Sequence, residues 1–172
     1  YEGELPAAAL APEAPRAQEM PSAAAQSTQL AEQILDTMTL EEKLWQLFFV
    51  APEALTGEEA VTESSDALQQ ALADKPVGGV ILFARNLISH EQTMALLAYV
   101  KSASRLVPFL GVDEEGGTVS RVGANSAMGV TQLQDMSVYG ASGDAAALYG
   151  DLYNLAQSLN TLGFNVDFAP VA

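Results

Sequence analysis

From Thr28 onward, apolar residues return at helical spacing, with Leu30, Ile34, Leu35 and Met38 on one stripe. Thr39 restarts the pattern. Glu42 stands three residues after it, the spacing of a capping box, and Leu44, Leu47 and Phe48 form the next apolar face with Trp45 beside it. Phe49 and Val50 fit a short strand. A third helix is expected from about Glu58 to Asp74, with Val61, Leu68 and Leu72 as its apolar face.

The period then changes. "VGGVILF" (Val77 to Phe83) is a continuous aliphatic run, the pattern of a strand buried on both faces of a parallel sheet. "SHEQ" (Ser89 to Gln92) reads as a second capping box, opening a helix through Met94, Leu97, Val100 and Lys101 to about Ser104. "VPFLGV" (Val107 to Val112) is a second buried strand. After a polar, glycine-containing stretch, Asp144 to Leu162 reads as a long helix carrying Leu148, Leu152, Leu155 and Leu159, with Gly163 placed to end it. "FNVDFAPV" (Phe164 to Val171) reads as a third strand. Strands alternating with crossover helices imply an α/β fold with a parallel sheet. No internal repeat is evident.

Residues 1–27 break with all of this. They are mostly Ala, Pro, Glu and Ser with no aromatic after Tyr1, and four prolines interrupt any helix. Such a segment buries no core and reads as a tether or linker, leaving 28–172 as the folded part. A stalk of this composition points to an exported or envelope-anchored protein.

Seven basic residues face twenty-two acidic ones, a formal charge of −15. Tyr1 to Lys75 holds a net −11 and Pro76 to Ala172 a net −4, so the acidity belongs mainly to the leading segment and first helices, as a solvated surface. A field of that sign repels phosphate backbones and anionic lipid, which argues against nucleic-acid and membrane-surface partners. No apolar stretch approaches the roughly 20 residues of a membrane span. With no cysteine, disulfides, thiolate catalysis and Cys-ligated zinc are excluded.

In parallel α/β folds the chemistry gathers at the carboxyl ends of the strands. Those ends are "FARN" (Phe83 to Asn86), "DEEGG" (Asp113 to Gly117) and "APVA" (Ala169 to Ala172). The adjacent carboxylates of Asp113, Glu114 and Glu115 raise four readings. A metal site needs converging ligands, and contiguous residues diverge. A phosphate cradle needs a glycine turn opening directly into a helix, whereas "TVSRV" follows and looks extended. A sugar site fits better. Asp113 can accept two hydroxyls, Arg121 can fold back as donor, and Gly116-Gly117 permits a tight reversal between them. A plain polar loop stays open beside it. Arg85 and Asn86 line the site or brace the rim, and Asn165 and Asp167 are weak candidates for a barrel lumen. His90, the single histidine, reads as an exposed first-turn residue. No nucleophile-elbow pattern supports Ser-His-Asp catalysis, and Trp45 beside a helical stripe reads as core.

"MTLEEKLWQLFFV", "PVGGVILFARNL", "VPFLGVDEEGGTVSRVG" and "LGFNVDFAPVA" occur in this order and spacing. Together they resemble the N-terminal part of the (β/α)8 barrel of glycoside hydrolase family 3. The forms "GGVILFARN" and "VDEEGG.V.R" are more similar to its β-N-acetylhexosaminidase branch than to its β-glucosidase branch. The resemblance runs from about Met38 to the end. It implies a substrate-binding aspartate at Asp113 and a binding arginine at Arg121, both gripping the sugar where the glycosidic bond is cut. It assigns no catalytic position to Glu114 or Glu115, which are left as local support or a solvated turn.

Family members are retaining hydrolases with an Asp nucleophile and a separate acid/base. The resemblance places both beyond Ala172, so no catalytic residue is expected in this chain, which by itself is expected to be inactive. No cofactor is implied, since the reaction runs on carboxylates, an acid/base and water. A complete barrel needs about 250 residues, so three clear strands suggest a truncated barrel. Its open sheet edge is expected to be covered by self-association, a companion fragment or rearranged helices. The rival reading is a non-catalytic carbohydrate-binding or structural module on a shortened barrel.

Overall fold

The computed structural model describes residues 22–170, and the chain divides into two units between Thr37 and Met38. The described part of the first unit is helix α1 (Ala23–Thr37). Ser22 caps it by accepting the Ala25 N–H at 3.3 Å, and the Ser27 and Thr28 hydroxyls bond back to the carbonyls of Ala23 and Ala24 at 3.0 Å. The helix therefore starts five residues before Thr28, and the end of the expected tether is helical. Residues 1–21 of that tether lie outside the described residues.

The second unit opens with α2 (Leu40–Trp45). Its capping box is complete: Thr39 Oγ1 accepts the Glu42 N–H at 3.2 Å, and Glu42 Oε2 accepts the Thr39 N–H at 2.7 Å. Strand β1 (Phe49–Val50), helices α3 (Pro52–Thr56) and α4 (Asp66–Asp74), strand β2 (Gly79–Leu82), helix α5 (His90–Ala103) and strand β3 (Phe109–Val112) follow. A hairpin, β4 (Glu114–Gly116) and β5 (Val119–Ser120), leaves the end of β3 directly. Helices α6 (Met136–Ser142) and α7 (Ala145–Leu162) then lead to β6 (Val166–Asp167).

The main sheet runs β1-β2-β3-β6, all parallel, with Phe49 beside Gly79, Gly79 beside Phe109 and Gly111 beside Val166. Spatial order equals chain order, with no reversal point of the kind a doubly wound sheet requires. Alternation along the strands separates the faces. Val80, Leu82, Leu110 and Val112 are buried in one cluster with Leu68 and Leu72 of α4, Leu96, Leu97 and Val100 of α5, and Leu155, Leu159 and Leu162 of α7. The other face carries the half-exposed rings of Phe49, Phe109 and Phe168. Phe49 stacks on Phe109 at 5.8 Å and meets Phe168 edge-on at 5.3 Å. Gly111 makes room for this layer, because a Cβ there would lie 2.7 Å from the Phe168 ring.

Several expectations are corrected. The stretch expected as one helix from Glu58 to Asp74 is helical only from Asp66, and Val61 is buried from a loop that precedes it. The reason is tertiary: the Val61 N–H donates to Glu53 Oε1 at 3.0 Å, tying the loop to α3. Leu44, Leu47 and Phe48 are exposed, since α2 ends at Trp45 and only that ring reaches the core. The "SHEQ" box is half formed. Ser89 Oγ accepts the Gln92 N–H at 3.2 Å, but Gln92 Oε1 takes the Ile88 N–H, while its amide donates to the carbonyls of Thr62 and Asn86. The last strand is two residues rather than eight, with Val171 outside the described residues. The short strand expected at Phe49 and Val50 joins the three clear ones, so four strands form the sheet. Helix α6 has no counterpart in the sequence reading.

Candidate functional site

The carboxyl ends of β2, β3 and β6 form one rim. At the end of β2 stands a single turn of 3₁₀ helix, Ala84–Asn86. Asn86 is fully buried and structural. Its Oδ1 accepts the Phe83 N–H at 2.9 Å, and its Nδ2 donates to the Val61 carbonyl at 2.9 Å and to the Glu53 carboxylate. Arg85 is half exposed, 2.9 Å from Glu53 Oε2, with its guanidinium over the Phe83 ring. Burial pushes the Glu53 carboxyl up, but hydrogen bonds from Arg85, the Val61 N–H and Asn86 outweigh it and hold it below its usual value. Of the two readings for Arg85 and Asn86, the rim-bracing one holds for Asn86.

At the end of β3 the three acids separate, because the hairpin sends successive side chains to opposite sides. Asp113 stays partly open, with its Oδ2 3.6 Å from Arg121 Nη2. That is within ion-pair reach and beyond hydrogen-bond distance. Arg121 Nε is buried and makes no hydrogen bond. The two residues the sequence singled out, eight apart, are thus brought together by the β4–β5 hairpin, with the pair drawn close but not locked.

Glu114 goes the other way, into the protein, where it is fully buried. Its carboxylate accepts the Ser120 hydroxyl, the Val122 N–H at 2.6 Å and the Gly123 N–H at 3.2 Å. Glu115 borders a groove with Gly116, Thr118, Val119, Asp135 and Met136. The turn between the strands needs both glycines: Gly116 and Gly117 have φ of 88° and 55°. The Gly117 N–H also donates to the Leu133 carbonyl at 3.0 Å, and the Asp135 carboxylate occupies the place a Gly117 side chain would take.

Asp167, at the end of β6, accepts the Glu114 N–H at 2.9 Å, and Asn165 Oδ1 accepts the Leu110 N–H at 2.6 Å. Both border the groove between α7 and β6 rather than the Phe49–Phe168 face, correcting the expectation that they point into a lumen. Burial, then the charges of Glu114, Asp113 and Glu115, raise the Asp167 carboxyl to about 6 against the pull of its bond from the Glu114 N–H. His90 is partly buried at the start of α5, beside Met128, Gly129 and Gln157, and takes no part in the rim. Among the described residues no group of three His, Cys, Asp or Glu side chains could hold a metal ion. Nor is any described helix long and apolar enough to cross a membrane.

Of the two readings left open for Glu114, local support is the one its buried hydrogen bonds match, though the groups it binds were not read from the sequence. The available signal was "EEGGTVSRVG" (Glu114 to Gly123), in which a serine precedes the arginine and a glycine follows two residues after it, at hairpin distance from the first acid.

Strands laid down in chain order, helices on one face and a polar rim at the carboxyl ends define a wall of a β/α barrel. The chain belongs to glycosyl hydrolase family 3: residues 39–172 match that family's N terminal domain. It is 33% identical over 122 residues to beta-hexosaminidase A of Pseudoalteromonas piscicida, covering 64% of this chain and 19% of that protein. It is 37% identical over 120 residues to the beta-hexosaminidase of Chromobacterium violaceum, covering 65% of this chain and 31% of that one. The chain therefore spans less than a third of either relative. Its fold is similar to a family 3 beta-N-acetylglucosaminidase from a Paenibacillus species, at 30% identity and a TM-score of 0.67, over 78% of this chain and 24% of that one. It is also similar to a beta-N-acetylhexosaminidase from Beutenbergia cavernae, at 28% identity and a TM-score of 0.60, over 77% and 38%.

Proposed function

We propose that this chain forms the N-terminal part of the catalytic barrel of a retaining glycoside hydrolase that removes terminal β-linked N-acetylglucosamine. Asp113 and Arg121 bind the sugar at the bond to be cut. The observation that carries the reading is the meeting of Asp113 and Arg121 on the β3 rim, 3.6 Å apart, in a chain similar to proteins named beta-hexosaminidase. A carboxylate that accepts two hydroxyls beside a guanidinium that donates to others suits a neutral, polyhydroxylated ring. The incomplete contact between them leaves both groups with capacity for such a ligand. The nucleophile and acid/base come from other segments of the intact protein, as the small share of each relative's length supports. Those segments, a second copy or a companion fragment cover the outer edge of β6 and the Phe49–Phe109–Phe168 face. Export to the cell envelope fits the composition of residues 1–27.

The test is an assay of the intact protein containing this chain on nitrophenyl N-acetylglucosaminide and nitrophenyl glucoside. A kcat/KM at least about tenfold higher on the first is expected. Preference for the glucoside would move the protein to the β-glucosidase branch. No hydrolysis of either, with sugar binding retained, would make it a non-catalytic module.

A further inference from the structure

We infer that Glu114 is a positioning residue for Arg121, acting through the backbone on both sides of it. The inference rests on the sugar-site reading of Asp113 and Arg121 and adds the residue that sets their geometry.

A carboxylate with no exposure is unfavourable unless its charge is met. Among the described residues no Lys, Arg or His forms an ion pair with Glu114. Its charge is met by three neutral donors instead, the Ser120 hydroxyl and the N–H groups of Val122 and Gly123. These residues bracket Arg121 on both sides. Ser120 is fixed twice more, by its backbone pairing with Glu114 in the hairpin and by its Oγ accepting the Ala124 N–H at 3.1 Å. Gly123 is required for the third bond, since a Cβ there would lie 2.6 Å from the Gln132 Cα and 3.0 Å from Glu114 Oε1. The Glu114 N–H is in turn fixed by Asp167. One buried carboxylate thus ties the residue after Asp113 to both neighbours of Arg121. With its backbone clamped, the Arg121 side chain reaches back over the hairpin to Asp113 without a direct anchor of its own.

The test uses the intact protein with Glu114→Gln, Arg121→Ala and the double variant, plus a crystal structure of Glu114→Gln. Glutamine keeps the size of the side chain but turns an N–H toward donors that need an acceptor. The expected result is an Arg121–Asp113 separation well beyond ion-pair reach in the crystal. KM for nitrophenyl N-acetylglucosaminide should rise about tenfold with kcat changed less than about twofold. The double variant should match Arg121→Ala alone, because a residue acting only through Arg121 adds nothing once Arg121 is gone. An unmoved Arg121, or effects that add in the double variant, would overturn the inference. If Arg121→Ala leaves KM unchanged, the sugar-site reading fails, and the crystal structure still decides whether Glu114 places Arg121. Should Glu114→Gln fail to fold, Ser120→Ala removes one clamp only. It should shift Arg121 and raise KM about threefold, and an unmoved Arg121 would again overturn the inference.

Discussion

Asp167 holds the main chain of Glu114: the Glu114 N–H donates to Asp167 Oδ1 at 2.9 Å, across 53 positions of sequence. Through this bond the last strand fixes the point where β3 gives way to the hairpin that carries Arg121. Burial and the charges of Glu114, Asp113 and Glu115 raise the Asp167 carboxyl from 3.8 to about 6. The unfolded chain releases this proton near 3.8 and the native state near 6, so between those values the native state binds more proton. Its contribution to stability therefore falls as pH rises through that window. Asp167→Asn keeps the accepting oxygen and removes the charge. Urea midpoints measured below 3.8 and above about 6 should show the variant gaining on the wild type at the higher pH.

Glu53 joins α3 to the end of β2. Glu53→Ala leaves the buried amide of Asn86 and the Val61 N–H short of an acceptor, and should lower stability by about 2–3 kcal/mol in denaturant titrations. Arg85→Ala breaks the half-exposed ion pair and the guanidinium's contact with the Phe83 ring, and should cost about 1 kcal/mol. Equal losses would mean that the ion pair, not the amide hub, stabilises the rim.

Gly78 lies where α2 ends against β2, its N–H donating to the Trp45 carbonyl at 3.1 Å. A Cβ at this position would land on the Gln46 carbonyl oxygen, a main-chain atom that cannot turn aside. Gly78→Ala should cost about 3 kcal/mol or more. Gly140, inside α6, gives the contrast, because a Cβ there would meet nothing within 4 Å. At that position alanine should stabilise by about 0.5–1 kcal/mol. Thermal melts of the two variants should move in opposite directions.

Arg121→Lys separates charge from shape. Lysine retains the positive charge near Asp113 but lacks the planar fork. Sugar affinity, read by calorimetry with N-acetylglucosamine, should weaken about tenfold in Arg121→Lys and further in Arg121→Ala. Equal affinity for wild type and Arg121→Lys would reduce the role of Arg121 to simple charge.

What could be read in the chain itself was local or periodic. The helices α5 and α7, the cores of β2 and β3, the Thr39–Glu42 box and Gly163 at the end of α7 follow from spacings of a few residues, where side chains and backbone satisfy each other directly. Asp113 and Arg121 were legible because a strand end followed by a glycine turn returns the chain over itself within eight residues. What the tertiary structure alone decided depends on partners far apart in sequence. Val61 leaves the helical pattern for an N–H bond to Glu53, eight positions earlier. Asn86 reaches back 33 positions to the same carboxylate. The adjacent acids Asp113, Glu114 and Glu115 look equivalent as letters. They become a rim carboxylate, a buried clamp and a groove residue only once β5, the turn after it and β6 supply Ser120, Val122, Gly123 and Asp167 around them, because burial of a charge is permitted only where enough donors converge.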